Sequence, residues 1–324
     1  MNVTQNKQPA SFFTSTAVDH AVAGLGAGVV TTLVMNPLDL LKIKFQVNTG
    51  KLAGGMGTQM WLALKDIQQR QGWKGMYRGI GPNIAGNASS WGLYFLFYNM
   101  LKKSAGGGDV TKQLSAPEYL LCSAQASAVT AVITNPFWLV RVRMFATAAD
   151  SPDAYRGLWD GLSRIYRTDG VPGLFRGTTL ALVGVSNGAI QFMAYEKMKA
   201  WGFERKRRKA EREGLVYDPN TAKLSNFSYS AMSISSKLIA LATTYPYQVV
   251  RSRVQASVQQ NQFPNIPTTI KRTWANEGIK GFYRGLGTSL VRVLPGTCVT
   301  FVVYENLAWL LRTTAATREQ NAIE

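Results

Sequence analysis

NPLDLLKIK at Asn36–Lys44, NPFWLVRVR at Asn135–Arg143 and YPYQVVRSR at Tyr245–Arg253 are three versions of one string. In each, a proline is followed five positions later by a basic residue and two positions after that by another. A second string trails each copy: QGWKGMYRG at Gln71–Gly79, DGVPGLFRG at Asp169–Gly177 and EGIKGFYRG at Glu277–Gly285. Here a glycine always stands five residues ahead of an aromatic–Arg–Gly triplet. The prolines lie 99 and 110 residues apart. Two features at matched spacing, three times over, define an internal repeat, and the repeat decides the fold.

Working outward, each unit reads as a helix running up to and through its proline, a linker with a short helix, and a second helix. The runs Val18–Asn36, Tyr119–Asn135 and Ser228–Tyr245 precede the prolines, and Ile80–Met100, Thr178–Met198 and Leu286–Leu311 follow the triplets. Each is long enough to span a bilayer core of about 30 Å. The mean hydropathy of −0.05 is low for a membrane protein, which suits amphipathic spans with one face toward water. AVAGLGAGVVTTLVM in the first span sets Gly24 and Gly28 four residues apart, a small-residue pair that permits close packing in lipid. An all-α soluble solenoid is the alternative. Pro37, Pro136 and Pro246 each remove a helix hydrogen bond and bend their helix. Three bends at equivalent depth converge these helices and close a cavity at one end.

Composition narrows the chemistry. The 324 residues carry 36 Lys+Arg against 18 Asp+Glu, a net charge of +18, with 46% hydrophobic and 17% charged residues. That excludes a disordered chain and fits an anionic partner: nucleic acid, a membrane surface or a small molecule. Two cysteines, Cys122 and Cys298, and a single histidine, His20, offer neither a disulfide framework nor a metal site. No Ser/His/Asp set or paired carboxylates support an enzyme. MNVTQNKQPASFFTSTA at 1–17 has one Lys and no Arg, so it reads as a polar tail and any organelle targeting is expected to be internal. Six basic residues between Arg205 and Arg212 read as a solvated helix extension, with attraction to anionic lipid or nucleic acid as the sharper alternative. Gly106–Gly108 is a linker, and GLGAG near Gly24 lacks the strand-first context of a dinucleotide fingerprint.

With both strings in three copies from Val18 to about Arg312, the chain resembles the mitochondrial carrier family. The resemblance implies an all-α membrane protein of six tilted transmembrane helices in three pseudo-symmetric repeats. Short helices would lie on the matrix side, and both termini would face the intermembrane space of the mitochondrial inner membrane. The loops support that orientation: 40–79, 139–177 and 249–285 hold 19 Lys/Arg and 6 Asp/Glu, a surplus on the inferred matrix side. The repeats would occupy 18–108, 109–205 and 223–312, with a basic loop at 206–222 and a polar tail at 313–324.

The resemblance also implies two gates. On the matrix side, Asp39 and Lys42 fit the family's pattern, but its acid position is Trp138 in the second repeat and Gln248 in the third. Asp39 would bridge Arg141, Gln248 would meet Lys42, and Trp138 would offer its ring to Arg251, a cation–π contact of about 0.5–2 kcal/mol. Gln46 and Gln255 match the family's glutamine braces, whereas Phe145 does not. The opposite, cytosolic gate reads Asn99 with Lys102, Glu196 with Lys199, and Glu305 with Ala308, so that only Glu305–Lys102 is expected as an ion pair across helices.

Substrate residues follow from unmatched polarity. Lys237 and Arg292 sit mid-span, where isolated cations usually face a water cavity and mark a pathway. Lys237 lies 11 residues before Gln248, within about 20° of the same helix face. Arg292 matches the family's third contact point; Gly86–Asn87 and Val183–Gly184 match the first and second. Small residues there would leave room for a bulky ligand. Trp91, Tyr94 and Trp138 are candidates to stack on a planar ring, and Gln191 is a further polar candidate. Two cations suit a pyrophosphate or a glutamate-tailed pterin.

A tryptophan at the second acid position, with PLDLLKIKFQV, SWGLYFLFYN, GAIQFMAYE, TYPYQVVRSRVQ and TFVVYEN, resembles the FAD/folate branch of the family. This implies a monomeric carrier without a prosthetic group, moving FAD or a related flavin by alternating access. Folate, NAD or a pyrimidine nucleotide is the alternative substrate. The expected partners are a small anionic solute and the bilayer, with anionic lipids such as cardiolipin. The rival class is a basic soluble helical-repeat protein that binds nucleic acid, which alkaline carbonate would wash from membranes.

Overall fold

The computed structural model describes residues 12–13, 16–50, 54–108, 113–214, 223–256 and 263–321, and every regular element among them is a helix. In chain order these are α1 (Thr16–Val47), α2 (Met56–Met76), α3 (Ile80–Ala105), α4 (Ala116–Ala146) and α5 (Leu158–Leu174). They continue with α6 (Thr178–Val183), α7 (Ser186–Arg212), α8 (Asn226–Ala256), α9 (Ile266–Gly281) and α10 (Leu286–Asn321). Helices α1, α4 and α8 carry Pro37, Pro136 and Pro246 in their interiors. Helices α6 and α7 form one span, broken at Gly184–Val185. There the N–H groups of Val185 and Asn187 reach back three residues instead of four.

Each repeat is one proline-bearing helix, one short helix and one return span, which makes six spans in three units. Helix α1 packs along α10, α3 along α4 and α7 along α8, and α1, α4 and α8 meet one another. The return spans α3, α7 and α10 make no extended contact among themselves. The bundle is therefore closed at the proline end and splayed at the other.

Among the described residues two helices, Val18–Val47 and Leu286–Ala315, are long and apolar enough on their own to cross a membrane. The remaining spans fall below that mark through their Ser, Thr, Asn, Gln and charged residues. Their outward residues are apolar, as with Phe95, Met100, Leu121, Phe192 and Met193, all exposed. In lipid such exposure carries no hydrophobic penalty.

The second string builds the corner of every repeat. Gly72, Gly170 and Gly278 take φ of 64°, 66° and 60° with ψ of −171°, −164° and −155°, a region essentially reserved for glycine. Gly79, Gly177 and Gly285, at φ 73°, 78° and 79°, then start the return span in the left-handed region. The arginine of each triplet closes a ring. Arg78 donates to the Thr147 carbonyl at 2.6 Å, Arg176 to Pro264 at 2.6 Å and Arg284 to Gly50 at 2.8 Å. Each acceptor lies between the proline helix and the short helix of the next repeat in the cycle. Burial lowers the pKa of Arg78 and Arg176 from the ordinary arginine value, and the nearby Arg143 adds to the effect at Arg176.

Residues 206–212, within the segment named as the basic loop, complete α7 as the solvated helix extension read for that basic run, where Arg207 and Arg208 pair with Glu204 and Lys209 with Glu213. Residues 313–321, expected as a tail, continue α10. Both runs are rich in good helix formers with ion-pair partners or hydroxyl-to-carbonyl bonds one turn away. Residues 1–11 of the polar tail and 215–222 of the basic loop lie outside the described residues.

Candidate functional site

The proline bends bring the basic residues behind them to the closed end. Arg141 Nη2 of α4 lies 2.7 Å from Asp39 Oδ2 of α1, and Asp39 is 3% exposed. Arg292 Nε of α10 lies 2.5 Å from the other Asp39 oxygen, an ion pair without the alignment of a hydrogen bond. Lys42 donates to Gln248 Oε1 at 3.2 Å, joining α1 to α8. A single carboxylate thus links α1 to both α4 and α10.

Trp138 has a different cation from the one expected. Its indole packs on Gly86 of α3, where a Cβ would sit 3.4 Å from the ring. In that seat its cation–π partner is Arg141, 5.1 Å from the ring centroid and one turn along the same helix, rather than Arg251. Phe145, one turn further, holds the same guanidinium at 5.1 Å. An aromatic sandwich stands where a third glutamine brace would be. Gln46 donates to Tyr245 Oη at 3.0 Å and accepts from Ser252 at 2.7 Å; Gln255 donates to Asn135 Oδ1 at 3.3 Å. Both glutamines are buried ties between helices and bond to none of the gate charges.

Next to this closure lies a cavity of about 440 Å³. Of the residues singled out as substrate contacts, Lys237, Arg292, Trp138, Gly184 and Gln191 line it, together with Lys42, Gln46, Arg141, Gln248, Arg251 and Gln255. The lining holds five cations and no carboxylate.

Other candidates lie elsewhere. Asn87 donates to the backbone and side-chain oxygens of Asn83 at 3.0 and 3.1 Å. Trp91, 60% exposed, stacks on Phe95 on the outer surface. Tyr94 bonds Ser123 of α4 at 3.0 Å and stacks on Tyr98, and the exposed Val183 is outside the lining. The space at Gly86 and Gly184, expected to be left for a ligand, is filled by the protein's own aromatic rings. Trp138 occupies the first, and a Cβ on Gly184 would lie 2.9 Å from Tyr247 Oη.

Sequence reasoning missed four further polar lining residues, Asn187, Tyr247, Ser252 and Ser289, and the apolar Ile43, Val142, Leu241 and Val293. Asn187 donates to Thr244 Oγ1 of α8 at 2.7 Å, and its place one turn before Gln191 on α7 was its available signal. Also missed was the residue before each proline. Asn36 donates to the Met76 carbonyl at 2.8 Å and Asn135 to Leu174 at 3.1 Å, while Tyr245 receives Gln46. Their repetition as NP, NP and YP was legible.

At the splayed end the charges remain apart. Lys199 meets Glu196 at 3.6 Å within α7, and Lys102 stands over the Tyr119 ring at 5.8 Å. No ion pair joins Lys102 to Glu305, because α3 and α10 do not approach each other there.

Comparison with known proteins bears on this arrangement. The family profile described as mitochondrial carrier protein matches residues 13–108, 112–206 and 222–314. The chain belongs to the mitochondrial carrier family. Folate transporter 1, chloroplastic, of Arabidopsis thaliana is 36% identical over 93% of this chain and 98% of its own length. The mitochondrial FAD carrier protein FLX1 of Saccharomyces cerevisiae is 34% identical over 89% and 95%. Nicotinamide adenine dinucleotide transporter 2, mitochondrial, of Arabidopsis thaliana is 33% identical over 90% and 79%. The carrier is a transporter rather than an enzyme.

Proposed function

We propose that this carrier moves FAD, or a related flavin, across the mitochondrial inner membrane by alternating access, as a monomer without a prosthetic group. The observation that carries the reading is the lining of the cavity, with five cations, no carboxylate and the aromatic rings of Trp138 and Tyr247. Such a surface suits a planar ring joined to an anionic bridge. The likeness to the yeast FAD carrier supports the flavin assignment. In this reading the closed end, with its basic loops, faces the matrix, the splayed end faces the intermembrane space with both termini, and anionic lipids surround the bundle. Asp39, Lys42, Arg141, Gln248 and Arg251 form the matrix gate; Lys102, Glu196, Lys199 and Glu305 serve the opposite gate when α3, α7 and α10 converge. Bound solute opens the matrix gate only to the extent that it binds the opened form more tightly.

Purified protein in liposomes, offered labelled FAD, FMN, folate, NAD and UTP, tests the assignment. Saturable FAD uptake that is lost in Lys237→Ala and in Arg292→Ala is the expected result. Folate uptake in preference to FAD would move the substrate toward the chloroplast relative and end the flavin reading.

A further inference from the structure

Helix α7 outruns the bundle at the splayed end. Gly202 packs on Met232 and Leu224, and Lys206 donates to the Lys223 carbonyl at 2.7 Å, which seats the base of the extension against the chain entering α8. Residues 205–212 hold six cations and one acid. Matching Tyr195-Glu196 to Tyr304-Glu305 aligns this run with 314–321 of α10, which holds one arginine and one glutamate. Both helices reach equally far past the matched tyrosine, so a helical extension does not by itself call for the charge.

The charge has a direction. Helix α7 runs unbroken from Ser186 to Arg212. Asn187 and Gln191, which line the cavity, stand 18 residues before Arg205 and Lys209, five full turns at 3.6 residues each. These cations therefore continue the cavity-facing side of α7, about 27 Å further along its axis. The exposed Phe192 and Met193 mark the lipid-facing side, more than about 100° away from Arg205 around the helix. Arg207, Arg208 and Lys209 pair with Glu204, Glu211 or Glu213, but Arg205 and Arg212 have no carboxylate partner among the described residues. Arg205 is held over the ring of Trp201 at 5.6 Å, and both arginines line a shallow concavity of about 410 Å³ with Trp201.

We propose that this extension is a collecting arm, on which Arg205 and Arg212 take up small solutes of two or more negative charges at the splayed mouth before they descend to the cavity. The inference rests on the reading that the solute is anionic and enters from that end. Cations lining one side of a mouth raise the local concentration of an anion and its rate of arrival. Arg205 and Arg212 are exposed and free of carboxylates, so a solute oxygen meets them without displacing an ion pair. The arm is confined to one of the three return spans, which places the first contact beside α7.

The test compares two variants of the full-length chain in phosphatidylcholine liposomes that lose the same charge: Arg205→Gln/Arg212→Gln on the cavity-facing side, and Lys206→Gln/Arg207→Gln, about 100° and 200° further round from Arg205. A cysteine replacing Met198, two turns below Arg205 on the same side, reports the local potential in a Cys122→Ser/Cys298→Ser background. Its rates with an anionic sulfonatoethyl and a cationic trimethylammonium-ethyl methanethiosulfonate are taken as a ratio. At about 10 mM salt the first variant should lower the anionic-to-cationic ratio about two- to fourfold, and at about 0.5 M salt it should leave it unchanged. The second variant should move it less. An unchanged ratio in the first variant overturns the arm and returns the run to a surface for anionic lipid, and an equal fall in both variants overturns it as charge without direction. In uptake, the half-saturating FAD concentration of the first variant should rise about threefold at low salt with the maximal rate kept. Wild-type half-saturation there also overturns the arm and leaves the flavin reading standing. The expected ratios in a protein that takes up no FAD support the arm and remove the flavin reading.

Discussion

Replacing Asp39 with asparagine removes the carboxylate that ties α1 to α4 and α10 in the proposed matrix gate while keeping its shape. Both ion pairs are short, at 2.7 Å to Arg141 and 2.5 Å to Arg292. At an effective dielectric constant of about 20, a pair at that separation is worth roughly 6 kcal/mol before desolvation is subtracted. The two arginines differ in how much of this survives. Arg141 is 15% exposed and its partner 4%, so breaking that pair strands a buried charge and costs about 3–5 kcal/mol. Arg292, at 42% exposure, can turn to water and loses about 0–1 kcal/mol. The closed form should therefore lose about 3–5 kcal/mol, a shift of roughly 10²–10⁴ in the equilibrium that holds it. Melting in detergent, followed by a thiol dye reacting with buried Cys122 in a Cys298→Ser background, reads the loss. A double-mutant cycle with Arg141→Gln should show strong coupling to Asp39, and one with Arg292→Gln weak coupling. An unchanged melting temperature in Asp39→Asn, or stronger coupling to Arg292 than to Arg141, would refute the reasoning.

The repeats offer their own controls. Glu277, 5% exposed, holds Arg253 and Arg284 at 2.7 Å each, whereas Asp169, 26% exposed, holds Arg143 at 3.3 Å. Neutralising either acid strands a buried arginine, Arg253 at 0% and Arg143 at 1% exposure, so Glu277→Gln and Asp169→Asn should each cost about 3–5 kcal/mol; a wild-type melting temperature in either variant would contradict the structure. Gly285 sits at φ 79° with the Lys42 carbonyl 3.1 Å from a built Cβ, and Gly285→Ala should cost at least about 1–2 kcal/mol; wild-type melting would show that the corner relaxes freely. Trp138→Ala exposes Arg141 on one face and should shift the half-saturating substrate concentration or the closing of the gate; unchanged kinetics would leave the indole a packing residue for Gly86.

The frame was legible because it is written in backbone chemistry. A glycine at φ near 60°, a proline inside a helix and an arginine that caps carbonyls of the neighbouring repeat each tolerate few substitutes, so their spacing shows in the string. Lys237 and Gln248 could be placed on one face because α8 runs unbroken between them. The interior was less legible wherever a contact crosses helices. Nothing local to Arg292 announces Asp39, since their meeting depends on how Pro37 and Pro295 aim two different spans. The partner of Trp138 was misread for the same reason: the choice between Arg141 and Arg251 is made by Gly86, on a third helix. Trp91 and Tyr94 share a face of α3 with further aromatics, and a sequence period alone does not say whether such a face meets lipid or a cavity.

The pattern of obedience to the repeat is itself informative. The corner glycines, the triplet arginines and the prolines recur in all three units, and all lie at the closed end, where threefold motion of α1, α4 and α8 would open the gate. Around the cavity the repeat keeps its basic residues Lys42, Arg141 and Arg251 but departs from itself at the acid position, where Asp39, Trp138 and Gln248 differ, and again at Gly86, Gly184 and Arg292; Lys237 has no charged counterpart. A solute without threefold symmetry cannot match three identical walls, so each departure is a place where binding can favour one orientation. Departures at the acid position do a second thing, because they lower the number of ion pairs that hold the gate shut. On the proposed function, the same two substitutions, Trp138 and Gln248, shape the site and weaken its closure, which makes the fit of the solute and the ease of opening a single property of the chain.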